Sequence, residues 1–323
     1  MSSKVKLELS INSINDLMRC VNLASLLELS GWPKPGNIHR RQNFKDTRFE
    51  HFLAGIAAIQ PNFKEFCDNI YKNSLSIDDD YNFLNLGLFF KEAAKEMMKW
   101  QKGGNVLLGH ILIFAPLVAA ATICLKFKRP KFKDFVNNVE KVINDSTVED
   151  TINLYEAIRI CNPGGLGRID KYDIYNKDSI KNIKNDNINL KRIFELSKDY
   201  DLISLEYSTG FSIILNKGFP YYFNIFKQTN DVNIATVNTF LKILTEHADT
   251  LIIRKSGLDA ALFVSNKASE ILEEGGISTD KGLNLIKELD EILQAKNGKM
   301  NPGTTADILA GIILCALMFG LKF

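Results

Sequence analysis

Paired cysteines are the first thing this 323-residue chain lacks. Its five cysteines (Cys20, Cys67, Cys124, Cys161 and Cys315) lie far apart and form no Cys-x-x-Cys pair. That spacing speaks against a disulfide framework or a zinc site, and for reduced, mostly buried thiols of a cytoplasmic protein. No signal peptide is read at the start. A dominant charge is missing too: 40 basic residues stand against 38 acidic ones, a formal charge of +2. Nothing therefore pulls the whole chain toward nucleic acid, and any anion site must be local. There is no Gly-x-x-x-x-Gly-Lys-Ser/Thr loop, no Gly-x-Ser-x-Gly elbow, no Rossmann fingerprint, and no zinc-protease spacing among the four histidines. Alternating strand-like patterns are few; Phe211–Leu215 is the best and it is weak. No fixed-period repeat and no linker divides the chain.

What is present is helical periodicity. Ile14, Leu17, Met18, Val21 and Ala24 follow a 3.6-residue period behind the cap pair Ser13 and Asp16. That helix should stop before Gly31–Gly36, where Pro33 and Pro35 forbid continuation. Thr47-x-x-Glu50 suggests a capping box for a second helix, closed at Pro61. Leu258–Leu272, ended by Gly275-Gly276, and Ser278–Ala295 predict two more amphipathic helices. Val106–Leu125 carries no Asp, Glu, Lys or Arg and has the length of a membrane span. His110 and Pro116 interrupt it, and its small residues make it only mildly hydrophobic. The expected role is a central helix apolar on every side, and no membrane partner is expected. The apolar tail Ile308–Phe323 gets the same core reading. The expected architecture is all-α: one compact multi-helix domain over 1–323, with 170–192 as a surface excursion.

Chemistry can sit only in the polar turns between these helices. Pro33-Lys34-Pro35-Gly36-Asn37 could hold a lysine toward an anion, or simply break a helix ahead of the basic run Arg40, Arg41, Lys45. Asp46 could cap the following helix. Lys102-Gly103-Gly104-Asn105 opens the apolar helix, where free amides favour phosphate, although water would also satisfy it. Asn162-Pro163-Gly164-Gly165-Leu166-Gly167-Arg168, with Asp170 and Asp173 behind it, suits a phosphate nest or an exposed connection. Asp201 and Glu206 alone would be a solvated face. Asp249, Arg254 and Lys255 are either a charged helix surface or a site. Thr304-x-x-Asp307 is either a capping box or the acidic end of the block Asn301-Pro302-Gly303.

In their order along the chain these blocks resemble the triphosphoribosyl-dephospho-CoA synthase family. Pro33–Gly36 matches its Pro-Lys-Pro-Gly motif, and Lys45-Asp46 its His/Lys-Asp element. Asp249, Thr250 and Arg254 match Asp-Thr/Ser-x-x-x-Arg, and Pro302, Gly303, Ala306 and Asp307 match Pro-Gly-x-x-Ala-Asp. The likeness runs from about Leu26 to Phe323. Where bacterial members have Thr-Asn-Thr-His-Lys-Gly this chain has Lys102–Val106, and Lys255-Ser256 replaces Gly-Gly after Arg254; it is more similar to an archaeal branch.

The resemblance implies an all-helical transferase with ATP as substrate. It would join the triphosphoribosyl part of ATP to a hydroxyl of 3′-dephospho-CoA or a related coenzyme precursor and release adenine. It further implies Asp46, Asp249 and Asp307 as catalytic residues, with Asp46 as candidate base and Asp249 and Asp307 holding Mg²⁺ or positioning the acceptor hydroxyl. Lys34, Gly36, Lys45, Gly104, Asn105, Gly164, Gly165, Arg254, Lys255 and Gly303 would receive phosphates. A Mg²⁺-dependent hydrolase of ribosyl bonds and a non-catalytic nucleotide-binding protein are the alternatives.

Overall fold

The computed structural model describes residues 7–74, 76, 79–167, 169 and 171–323. Arg168 and Asp170, two members of the glycine-rich turn, lie outside the described residues. Fifteen α-helices follow one another: α1 (Ile14–Ser30), α2 (Phe49–Lys72), α3 (Leu86–Trp100), α4 (Leu108–Lys126), α5 (Phe132–Asn144), α6 (Val148–Cys161), α7 (Ser179–Asn185) and α8 (Leu190–Ser197). They continue as α9 (Leu202–Ser208), α10 (Phe219–Thr229), α11 (Val232–Glu246), α12 (Thr250–Ser256), α13 (Leu258–Glu273), α14 (Asp280–Gln294) and α15 (Gly303–Met318). No β-strand is named among the described residues, so the all-α expectation holds.

The stretch that resembled a membrane span is the centre of the fold. Seventeen of the 19 residues of α4 are buried, and it packs against α1, α2, α3, α5 and α15. α15, equally apolar, packs in turn against α1, α10 and α11. A helix enclosed on all sides gains from apolar residues everywhere, about 1.5–3 kcal/mol for each large side chain removed from water, which is why its sequence shows no polar face. Pro116 sits inside α4 and offers no N–H to the carbonyl four residues back, that of Leu112. The Tyr207 hydroxyl donates to that carbonyl at 2.7 Å, so the buried acceptor is satisfied from α9.

Several local expectations change. Pro61 does not close α2; the helix runs through it to Lys72. At the start of α2 the Arg48 N–H donates to His51 Nδ1 at 3.1 Å, while the Thr47 hydroxyl donates to the Gly103 carbonyl and Glu50 pairs with Arg40. Phe211–Leu215 is no strand: residues Ile213–Gly218 form a π-helix. Its first amides, Ile213 and Ile214, donate to the Glu206 carboxylate at 2.8 and 2.9 Å. Glu206 is fully buried, not part of a solvated face, and burial pushes it up to about 7 against those two bonds. The segment 170–192 contains α7 and a small core of its own, in which Tyr172, Ile183 and Ile188 close over Ile152 and Tyr155 of α6.

Candidate functional site

Helix ends from both halves of the chain meet at one cavity of about 740 Å³. Its polar end is built from Glu28 of α1, Gly109 and His110 at the start of α4, and Asp201, which caps α9. Arg254 of α12 and Gly303, Thr304 and Asp307 of α15 complete it. The first turn of α15 therefore opens on the cavity, and the N–H groups and positive end of a helix start favour anions there.

Asp307 is the centre of this end. Its carboxylate lies directly over Gly109, where a Cβ would stand 1.9 Å from Oδ2, so only glycine admits it. No protein hydrogen bond reaches it among the described residues. His110 Nε2 lies 3.7 Å from Asp307 Oδ1 and 3.7 Å from Glu28 Oε2, too long for a hydrogen bond yet close enough for one to form on a small shift. Burial pushes the Asp307 carboxyl well up, and the neighbouring Glu28, Asp249 and Asp201 carboxylates add to this against Arg254. Solvent reaching the 22% of the side chain left open limits the size of that effect. Burial, with the Lys34 charge, takes His110 down to about 3, which keeps the ring neutral. Burial also raises Glu28, and the Lys34 ammonium opposes it.

On the flank, Arg254 donates to Asp201 at 2.7 Å. Gly165, with φ +84°, lies against Arg254, so the Asn-Pro-Gly-Gly turn and the Asp-Thr-x-x-x-Arg block touch in space. Eight buried side-chain polar atoms lack a protein partner among the described residues, and three of them, His110 Nδ1, Arg254 Nε and Asn301 Oδ1, belong to residues that line this one cavity. Unsatisfied buried groups are expensive, and such groups are commonest where a fold serves function.

The structure sorts the expected site residues. Asp307, Arg254, Gly303, Gly165 and Asn105 line the cavity, Asn105 also capping α4 by accepting the Leu108 N–H at 3.1 Å. Asp249 does not line it. It is fully buried and accepts from the amides of Leu251, Ile252 and Thr305 and from the Thr305 hydroxyl. With both oxygens taken twice, it joins the starts of α12 and α15 and has no lone pair left for a metal or substrate. Asp249 is thus a structural clamp, and it does the capping at α15 that Thr304-x-x-Asp307 had suggested.

Lys34 also departs from expectation. It is fully buried beneath the cavity wall, paired with Glu28 and set over the Phe240 ring, so it holds a carboxylate and touches no phosphate. Gly36 gives its N–H to Asp290 at 2.8 Å; with φ +77° and Leu293 and the Met300 carbonyl against it, it fits the proline loop onto α14. Lys45 and Asp46 are exposed and do not line the cavity, so this geometry gives Asp46 no support as base. Gly104 and Gly164 lie off the wall, and Lys255 is exposed and donates to the Gly298 carbonyl at 3.3 Å.

Sequence reasoning missed Glu28 and His110 as site residues. Each left a trace, a lone acid in Leu26-Leu27-Glu28-Leu29 and a lone imidazole in an uncharged helix. Asp201, read as solvated, caps α9 and pairs with Arg254.

For Mg²⁺, no group of three or more His, Cys, Asp or Glu side chains gathers as a metal set among the described residues. Mg²⁺ is commonly held by one or two carboxylates with substrate phosphates. Asp307, a cavity-lining carboxylate with no protein donor among the described residues, fits that habit; Asp249 does not.

Known proteins resemble this chain in sequence and in fold. The family model described as ATP:dephospho-CoA triphosphoribosyl transferase matches residues 14–322. Over 105 residues the chain is 30% identical to 2-(5''-triphosphoribosyl)-3'-dephosphocoenzyme-A synthase of Klebsiella pneumoniae, covering 32% of this chain and 34% of that protein. The Escherichia fergusonii protein of the same name shows the same identity over the same shares. The chain thus spans about a third of the length of the curated relatives it matches. A crystal structure from Archaeoglobus fulgidus, provisionally named triphosphoribosyl-dephospho-CoA synthase, superposes with a TM-score of 0.63 at 23% identity. That match covers 84% of this chain and 100% of the archaeal one, which shows a shared fold. With the family model matched over nearly its whole length, the chain belongs to the ATP:dephospho-CoA triphosphoribosyl transferase family.

Proposed function

We propose that the protein transfers the triphosphoribosyl group of ATP to a hydroxyl of 3′-dephospho-CoA or a related coenzyme precursor, releasing adenine. The observation that carries this reading is Asp307: a carboxylate facing the cavity, held over Gly109, without a protein donor and beside His110 and Glu28. In the reaction the bond from the ribose C1′ to adenine N9 breaks and a bond from the acceptor oxygen to C1′ forms. Adenine leaves with the bonding electron pair and takes up a proton. Positive charge builds on the sugar, and a nearby carboxylate stabilises it.

Asp307 takes the acceptor's proton, and its upward-shifted affinity brings it nearer the operating range of a general base. His110 and Glu28 orient that carboxylate, Lys34 fixes Glu28, and the start of α15 with Arg254 receives phosphate oxygens. With Asp307 serving as base, Mg²⁺ accompanying the triphosphate would be held through the phosphate oxygens, and would supply charge neutralisation when bound.

The test is adenine release. Protein, ATP, Mg²⁺ and 3′-dephospho-CoA are incubated and the products identified by mass spectrometry. Free adenine with a triphosphoribosyl adduct is expected, and Asp307→Asn should lower turnover at least ~10²-fold with the fold kept. Adenine without an adduct would replace the transferase by a ribosyl hydrolase. Bound, unconsumed ATP with every acceptor tried would make the chain a binding module.

A further inference from the structure

The turns beside the polar end of the cavity hold more positive charge than the proposed chemistry uses. Four of them meet there: 36–48, 101–105, 254–257 and 295–301. The Thr47 hydroxyl donates to the Gly103 carbonyl at 2.8 Å, and the Phe44 ring lies 3.3 Å from where a Gly298 Cβ would stand. Lys255 donates to the Gly298 carbonyl at 3.3 Å, and the Ser256 hydroxyl to that of Lys299 at 3.1 Å. Each turn also gives the cavity one lining residue, in order Asn37, Asn105, Arg254 and Asn301. Asn105 is exposed as well, so the cavity reaches solvent on this side.

The charge of these turns is one-sided. They contain nine of the 40 basic residues of the chain and, in Asp46, one of its 38 acidic residues. The whole chain carries only +2, so the rest of it is net acidic. Arg40 pairs with Glu50 and Arg254 with Asp201. Asp290, at the edge of the group, is engaged by the Gly36 N–H and by Gln294. Arg41, Lys45, Arg48, Lys102, Lys296 and Lys299 are all exposed and make no ion pair among the described residues. Cations gathered without counter-charges repel one another and weaken the fold, so the fold alone gives no reason for the gathering.

We propose that this basic rim is the entrance for phosphate-bearing substrates, drawing polyanions to the mouth of the cavity and speeding their association. The identity of the ligands rests on the transferase reading, in which ATP and 3′-dephospho-CoA both carry phosphates. A patch of one sign beside a low-dielectric cleft raises on-rates by about 10- to 10³-fold. That gain fades with salt, which shortens the reach of the field from ~30 Å at ~0.01 M to ~10 Å at ~0.1 M. None of the six unpaired side chains lines the cavity, so they act before a substrate is seated and not on the reaction.

The test is the association rate of mant-ATP, a fluorescent ATP analogue, measured by stopped flow at about 0.01 M and about 0.3 M salt. One variant of the full chain combines Lys102→Glu, Lys296→Glu and Lys299→Glu. A control combines Lys72→Glu, Lys131→Glu and Lys133→Glu, exposed positions that change the net charge equally. Lys72 ends the 24-residue α2, roughly 35 Å along the helix from its start at the rim. Circular dichroism checks both folds, and a Lys→Gln version of the rim variant repeats the test if the first does not fold.

Wild-type association should slow at least ~10-fold between the two salts. The rim variant should be about tenfold slow already at low salt and respond little to more, with the control within about twofold of wild type. Dissociation and adenine-release turnover at saturating substrates should stay within about twofold in both, which a catalytic or structural role for these lysines would not give. Salt-insensitive association, or equal slowing in both variants, would overturn the rim even with adenine release intact. Salt-sensitive association without adenine release would overturn the transferase reading and leave the rim. No binding of mant-ATP would overturn both.

Discussion

Replacing Gly109 by alanine adds a single methyl group, and the structure places it against a carboxylate. The new Cβ would stand 1.9 Å from Asp307 Oδ2, 2.1 Å from Cγ and 2.5 Å from Oδ1. Asp307 must retreat by about 1 Å or more to restore ordinary contact, and displacements of that size cost on the order of 10²-fold in rate when the moved group does chemistry. The effect on stability has another sign. Alanine in a helix normally gains about 0.4–1 kcal/mol over glycine through the unfolded chain, and Asp307 can swing toward the cavity, where nothing holds it. Gly109→Ala should therefore melt within a few degrees of the wild type while its adenine-release turnover falls roughly a hundredfold. Thermal melting by circular dichroism and initial rates at saturating ATP give the two numbers. Wild-type turnover in a folded Gly109→Ala protein would mean that the position of Asp307 is irrelevant to the reaction, and the reasoning would fail at its centre.

Asp249→Ala should act on stability first: four hydrogen bonds to a buried carboxylate disappear and two helix starts lose their cap, about 2–4 kcal/mol by urea unfolding. A loss of activity at unchanged stability would restore the metal role that the geometry denies it. Lys34→Met leaves Glu28 buried without its cation, and breaking such a pair from one side costs about 3–5 kcal/mol; a double variant with Glu28→Gln should recover part of this, and no recovery would count against the pair.

Glu206→Gln bears on pH. Glu206 ionises at 4.5 when unfolded and at about 7 in the fold, so its contribution is fully present below 4.5 and lost as pH rises toward and past 7. The wild type should lose up to about 1.4 kcal/mol per pH unit in that window relative to the glutamine variant. Parallel urea-stability curves between pH 4.5 and 7.5 would contradict it.

How far the sequence carried the reading varies by kind of feature. Helix positions were legible because burial imposes a 3.6-residue period, as in α1, α13 and α14, and because Ser13 caps as expected. Element ends were less so. Pro61 was tolerated within a helix, and the Phe211–Leu215 alternation gave way to two amides captured by Glu206, a tertiary contact that no local pattern reveals. At the site, Asp307, Arg254 and Gly303 were found because glycine and acid sit together in the chain. Asp249 and Lys34 carried the same signal but point inward, since a carboxylate or an ammonium can serve the fold as fully as it serves a substrate. Glu28 and His110 went unnoticed because each stands alone in an apolar helix, and only packing brings them within reach of Asp307.

The clamp at Asp249 also bears on how the cavity opens. By fastening the start of α12 to the start of α15, it makes Arg254, Gly303, Thr304 and Asp307 parts of one stiff jaw anchored in the main core. Across the cavity, α6 and α8 are fastened to the same core through Leu154, Ala157, Leu190 and Phe194, while the connection between them rests on a separate small cluster around Tyr172 and Ile183. A substitution in that cluster should therefore loosen the connection and leave the Asp307 end in register.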